Sequence, residues 1–249
     1  MKKNLSQEAL KVLACVTMFL DHFGAMCTPA TDVAFFQMIS ARGMLFISVE
    51  MYYILRCIGR LAFPIYCFLL AEGAHYTRNP KNYAIRLGIG MLLAEVPFDC
   101  AFFGGFTWEH QSVMVTLLLG FVAIRLMKKT DNLLLKVIVV APFVLAAEWL
   151  RTDYGGHGVA MMAMFALTRD LPYARLWQLG GLLVINGMMK GATLQYLLGI
   201  PLPIQVLASF AMVPIVFYSG KKATSNKFIQ WGFYLFYPVH IALLALILG

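Results

Sequence analysis

Charge is what this chain has least of. Asp, Glu, Lys and Arg make up 13% of its 249 residues, where a soluble domain carries about 25%. Hydrophobic residues reach 61%, above the roughly 45–50% of soluble chains, and the mean hydropathy is +0.75. That balance excludes an ordinary soluble fold and points to an integral membrane protein. Familiar signatures are missing too: there is no HExxH, GxSxG, P-loop or dinucleotide fingerprint. None of the 5 cysteines forms a CxxC pair, which argues against a structural zinc site. The 5 histidines, at 22, 75, 110, 157 and 240, show no ligand spacing, so no metal is expected. No repeat, linker or low-complexity stretch divides the chain, so residues 1–249 read as a single domain.

Acidic residues are scarcer than basic ones, 12 against 20, for a net charge of +8. In a soluble protein this would suggest nucleic acid. Here the positive-inside rule accounts for most of it, and no nucleic-acid partner is expected. A face rich in Lys and Arg also suits an anionic cofactor. The opening MKKNLSQEAL is basic like a signal peptide, but no small-residue cleavage motif follows, so it reads as a retained first span.

Apolar runs of about 17–25 residues mark the spans. They fall at about 9–26, 56–75, 84–103, 112–128, 133–150, 156–169, 173–189, 194–218 and 228–248. The expected fold is all-α, a bundle of about nine (8–10) transmembrane helices with a cytoplasmic N-terminus. With that orientation fourteen Lys and Arg lie in inner segments, and four (Arg42, Arg56, Arg151, Lys190) in outer ones. Residues 30–55 are apolar but broken by Arg42, Gly43 and Glu50. A crossing there would move the basic loop at 77–86 outside. The segment is therefore expected as an outer hairpin, a re-entrant segment or an interfacial helix, with a tenth span left open. Cys27 and Cys57 both fall near the outer face, within reach of a disulfide.

Ionisable residues inside spans usually mark a site or pathway. The first span holds Lys11 and then Asp21-His22. Eleven residues of helix place Lys11 and His22 about 16 Å apart and on one seam. His22 is suited to proton transfer near neutral pH, and Asp21 could orient it. Arg60 begins the second span and needs a buried partner, for which Asp21 and Asp99 are candidates. Pro64 loosens the helix beyond it. Glu95 and Asp99 share a face of the third span and suit amine binding, proton transfer or pairing with Arg60. His110 and Gln111 precede the fourth span and suit an acceptor or a carbonyl. His157 lies in DYGGHGV, where a tight turn outweighs chemistry and Asp153 could cap the next helix. Tyr234, Tyr237 and His240 line one face of the last span, either as a site wall or as satisfied core.

Together these motifs resemble the conjugal-transfer TraX family of membrane proteins. The resemblance covers nearly the whole length. It rests on Lys11/Ala14/Met18/Asp21/His22, IGRLAFPIYCFLLAEG at 58–73, YTRNPKNY, EVPFD at 95–99, HQSVMVTLLLG at 110–120, DYGGHGV at 153–159 and FYLFYPVH at 233–240. The family looks like a branch of the transmembrane acyltransferase superfamily. Sugar O-acyltransferases there carry a basic residue and a histidine separated by ten positions, a spacing that Lys11 and His22 match.

The resemblance implies a bacterial cytoplasmic-membrane enzyme with an acyl-CoA donor, acetyl-CoA by default. The acceptor would be extracytoplasmic: a peptide N-terminus, an amino sugar or an envelope glycan, with N-acetylation ahead of O-acetylation. Lys11, Arg78, Lys81, Arg86, Lys128 and Lys129 form the expected dock for the nucleotide's phosphates. His22 is the expected general base, with Arg60 or Tyr237 at the oxyanion. Two other classes fit the sequence: a proton-coupled carrier, and a non-catalytic membrane partner in pilus or envelope assembly.

Overall fold

In this computed structural model, residues 4–32, 39–41, 44–191, 193, 199, 201–221 and 226–248 are described. Several apolar runs become helices at a residue whose side chain caps the first turn. Ser6 accepts from the Ala9 N–H (3.1 Å) and opens α1, Gln7–Met26. Ser48 does the same for α2, Val49–Gly59, through Met51 N–H. Asn79 caps α4, Pro80–Phe103, with Pro80 in its first turn, where its missing N–H costs nothing. Gly104, at φ 72°, ends it, a backbone that favours glycine. Between α2 and α4 lies α3, Ala62–Tyr76. Asn132 caps α6, Leu133–Trp149. The remaining helices are α5 (Val113–Met127), α7 (Gly155–Thr168), α8 (Ala174–Met188), α9 (Met212–Val216) and α10 (Lys227–Leu248).

Most expected spans coincide with helices, and three regions differ. The run at 56–75 is broken: α2 ends at Gly59 and α3 begins at Ala62. Pro64 explains the break, because its ring opposes the carbonyl four residues back, on Arg60. Arg60 and Leu61 keep helical angles, so the axis bends rather than reverses. The 30–55 segment contains a hairpin. β2 (Ile39–Ala41) and β3 (Met44–Ser48) pair antiparallel, and β1 (Thr28–Ala30) adds parallel to β3, in the order β1-β3-β2. The helical half of that segment is α2. The run at 194–218 lies partly outside the described residues. Its described part is a 3-10 segment, Ile204–Ala211, followed by α9. The 5 cysteines are all free, Cys27 and Cys57 included, so the disulfide is not formed.

Three helical stretches are long and apolar enough to cross a bilayer among the described residues: Gln7–Met26, Val49–Tyr76 and Phe228–Leu248. Polar groups are buried within an apolar core, and large apolar side chains also face outward. Asp21, Asp99, Gln178, Asn186 and His240 are buried, whereas Phe228, Leu246 and Leu92 are 88%, 82% and 70% exposed. Water would penalise that exposed surface, and hydrocarbon would not. This is the fold of a helical membrane protein.

Helix α1 packs against α2, α3 and α10, and α4 against α10. The tightest approach is at Gly59, where a Cβ would stand 2.2 Å from the Asp21 Cβ. Gly59→Ala is therefore expected to force α2 away from α1 and to destabilise the protein by about 1–3 kcal/mol or more. Gly88, in α4, has nothing within 4 Å of its would-be Cβ. Gly88→Ala should be neutral or stabilising by about 0.5–1 kcal/mol. Thermal melting of the two variants in detergent checks the contrast.

Candidate functional site

A cavity of about 980 Å³ runs through the bundle along α1. Near the start of α1 its walls include Lys11, Arg86 and Tyr76; near the end they include His22, Arg56, His110 and Gln111. Neighbouring residues on a helix diverge by about 100°, so Asp21 and His22 meet different partners. Asp21 faces the helix break. Its carboxylate takes both a hydrogen-bonded ion pair from the Arg60 Nη2 and a 2.9 Å contact from the Arg56 Nη1. Arg60 completes itself by donating Nε to the Arg56 carbonyl (3.1 Å) and Nη1 to Gln205 Oε1 (3.1 Å). The first of these bonds adds to a carbonyl that already accepts from the Arg60 N–H (3.3 Å).

His22 faces α10. Its Nδ1 lies 2.7 Å from His240 Nε2, with the two rings stacked at 11°. His240 Nδ1 in turn lies 2.6 Å from the Phe236 carbonyl. A carbonyl only accepts, so His240 carries its proton on Nδ1. With both rings neutral, His240 Nε2 accepts and His22 Nδ1 donates. That leaves the lone pair of His22 on Nε2, and His22 lines the cavity. Phe102 and Tyr237 meet the His22 ring edge-on, with centroids 5.9 and 5.8 Å away. The Tyr237 hydroxyl is buried and makes no hydrogen bond of good geometry.

Several expected roles change. His240, not Asp21, orients His22. Of Arg60's two candidate partners, Asp21 is the one it meets. Asp99 instead accepts from Thr107 N–H (3.1 Å), and Glu95 accepts from the Ser112 N–H and hydroxyl (3.2 and 2.7 Å). Neither carboxylate lines the cavity. They shape the α4–α5 loop, which carries His110, stacked on Phe103, and Gln111. Lys11 and Arg86 line the cavity, but Arg78, Lys81, Lys128 and Lys129 do not. Lys128 turns to His75 Nδ1 (3.1 Å). Lys11 lies 5.0 Å over the Phe233 ring, and Arg86 sits over Tyr83 and Tyr234. His157 contacts Glu148 (3.6 Å) and stays out of the cavity.

The sequence reading missed Arg56, Gln205, Asp153 and Tyr154 as site residues. Arg56 carried a signal, since it stands four residues before Arg60 and hence on the same helix face. Asp153 does not cap α7; that position is Tyr154, at φ 65°, without a side-chain cap bond. The turn is pinned by Asp153 N–H to the Gln111 carbonyl (2.9 Å). Burial pushes the Asp153 carboxyl up to about 6, against the opposing pull of Arg60.

The TraX protein family model matches residues 6–248. The chain belongs to the TraX family. It is also 29% identical, over 98% of its length and 97% of the relative's, to "Probable fimbrial assembly protein FimC, serogroup H1" of Dichelobacter nodosus. No solved structure matches this TraX-family chain.

Asp21→Asn would leave two guanidiniums facing a neutral amide. It should cost about 3–5 kcal/mol, the usual penalty for orphaning a buried charge. Adding Arg60→Gln should restore part of that loss. Melting temperatures of the single and double variants check the sign of the coupling.

Proposed function

We propose that this TraX-family chain transfers an acyl group, acetyl by default, from acyl-CoA to an amine or hydroxyl, with His22 as general base. One observation carries this reading: the Phe236 carbonyl–His240–His22 chain leaves the His22 Nε2 lone pair on a histidine that lines the cavity. That is the wiring of a base held in one tautomer by the group behind it. Several features support the rest. Lys11 stands about 16 Å of helix from His22, Arg86 lines the same cavity, and both suit the phosphates of a nucleotide. The pantetheine arm would follow the cavity toward His22. The acceptor would enter past His110 and Gln111. Its proton passes to His22 Nε2, its heteroatom attacks the thioester carbonyl, and the C–S bond breaks. His22 then returns the proton to the CoA sulfur. Tyr237, whose hydroxyl makes no hydrogen bond of good geometry, donates to the oxyanion; Arg60 is committed to Asp21 and Gln205. We place the protein in the bacterial cytoplasmic membrane as a multi-pass bundle, with Lys11 toward the cytoplasm.

A second reading is a membrane partner in pilus or fimbrial assembly, favoured by the name of the Dichelobacter relative. The two readings are compatible if the acceptor is a subunit being assembled. They part on acyl-CoA, which an assembly partner has no need to bind.

Calorimetry of acetyl-CoA with the purified protein in detergent tests the proposal. Wild type should bind in the micromolar range. Arg86→Glu should weaken binding at least tenfold, and Lys128→Glu/Lys129→Glu should change it little, because neither lysine lines the cavity. No binding by a protein that melts cooperatively would overturn the acyltransferase reading.

A further inference from the structure

The acceptor end of the cavity holds a carboxylate that the mechanism above does not use. Asp153 is half-buried and lines the cavity. The turn that carries it is fixed on both sides. Its N–H donates to the Gln111 carbonyl, and its carbonyl accepts from the Thr116 hydroxyl. Among the described residues no cation lies within ion-pair distance of it, and both nearby guanidiniums, Arg56 and Arg60, are paired to Asp21. Tyr237 lines the same cavity and meets the His22 ring edge-on. Aromatic residues line the same cavity, Tyr154 next to it in sequence and Phe102 against His22, and aromatic faces attract cations.

We propose that Asp153 is the acceptor-binding residue that selects a protonated primary amine over a hydroxyl. This rests on the acyl-transfer reading and names its acceptor class. The proton balance gives a reason for a second acidic group. A hydroxyl acceptor loses one proton on acylation, and His22 can carry it to the CoA sulfur. An ammonium must lose two protons to become an amide. His22 takes the first, freeing the lone pair that attacks the thioester carbonyl. As the C–S bond breaks, His22 passes that proton to the departing thiolate. Asp153 takes the second from the nitrogen and releases it to water. Before reaction its negative charge holds the ammonium by a charge-assisted hydrogen bond.

Equilibrium dialysis at pH 8 with two probes of matched shape, benzylamine and benzyl alcohol, tests the assignment on the full chain. Wild type should bind the amine at least tenfold more tightly, the scale of a hydrogen bond to a charged group. Asp153→Asn should erase the preference, and Asp153→Glu should keep part of it. A melting curve for each variant checks its fold. Equal or absent binding of both probes by wild type, or a preference that survives Asp153→Asn, would overturn the proposal. Acetyl-CoA binding, measured separately on wild type, keeps the two readings apart. Its absence beside an intact amine preference would remove acyl transfer and leave the ammonium site standing.

Discussion

The Arg60–Asp21 pair is the constraint on which the site depends. It forms where Pro64 breaks the α2–α3 rod, and it ties that break to α1. Arg56 joins from the turn before, so one carboxylate answers two guanidiniums. A buried pair of this kind adds little net stability, because desolvation offsets much of the attraction. What it fixes is geometry. With Asp21 held toward α2, the next residue on α1 points elsewhere, and His22 meets His240 on α10. Gly59 is part of the same device, since any side chain there would occupy the space of Asp21.

The bundle around this pair carries apolar side chains on its outside and encloses ionisable groups. Many leucines and phenylalanines face outward, while histidine, carboxylate and guanidinium groups share one cavity with aromatic and aliphatic walls. Ionisable residues are costly at such depth. Here the cost is met by pairing for Asp21 and by backbone hydrogen bonds for Glu95 and Asp99. At the opposite end of α3, Arg169 binds Glu72 (2.7 Å) and the Tyr76 hydroxyl (2.6 Å). That network closes the wall beside the Lys11 and Arg86 end of the cavity.

Much of this architecture was legible in the sequence. Apolar runs of span length located most helices to within a few residues, because hydropathy is a local property. The pairing of Lys11 with His22 along one wall followed from helical rise alone. The strands between 28 and 48 were anticipated only as one of three alternatives, an outer hairpin, because short strands in an apolar segment lack a distinctive period. The partner of His22 was misassigned to its neighbour Asp21. Sequence adjacency suggests contact, whereas helix geometry sends the two apart and brings in a residue 218 positions away. Of the six basic residues expected to meet phosphates, only Lys11 and Arg86 line the cavity, for a related reason. Charge bias reports which side a lysine occupies, not whether it turns toward a cavity, as Lys128 does not.

The central claim is that His22 acts as a base in acyl transfer, and labelled acetyl-CoA tests it most directly. Membranes containing the protein would be given the label, and incorporation into membrane and envelope material would be followed. Wild type should incorporate label. His22→Ala, with melting unchanged, should lower the rate about 10²–10⁴-fold, and His240→Gln should lower it less. Full incorporation by a folded His22→Ala protein, or none by wild type, would contradict the account.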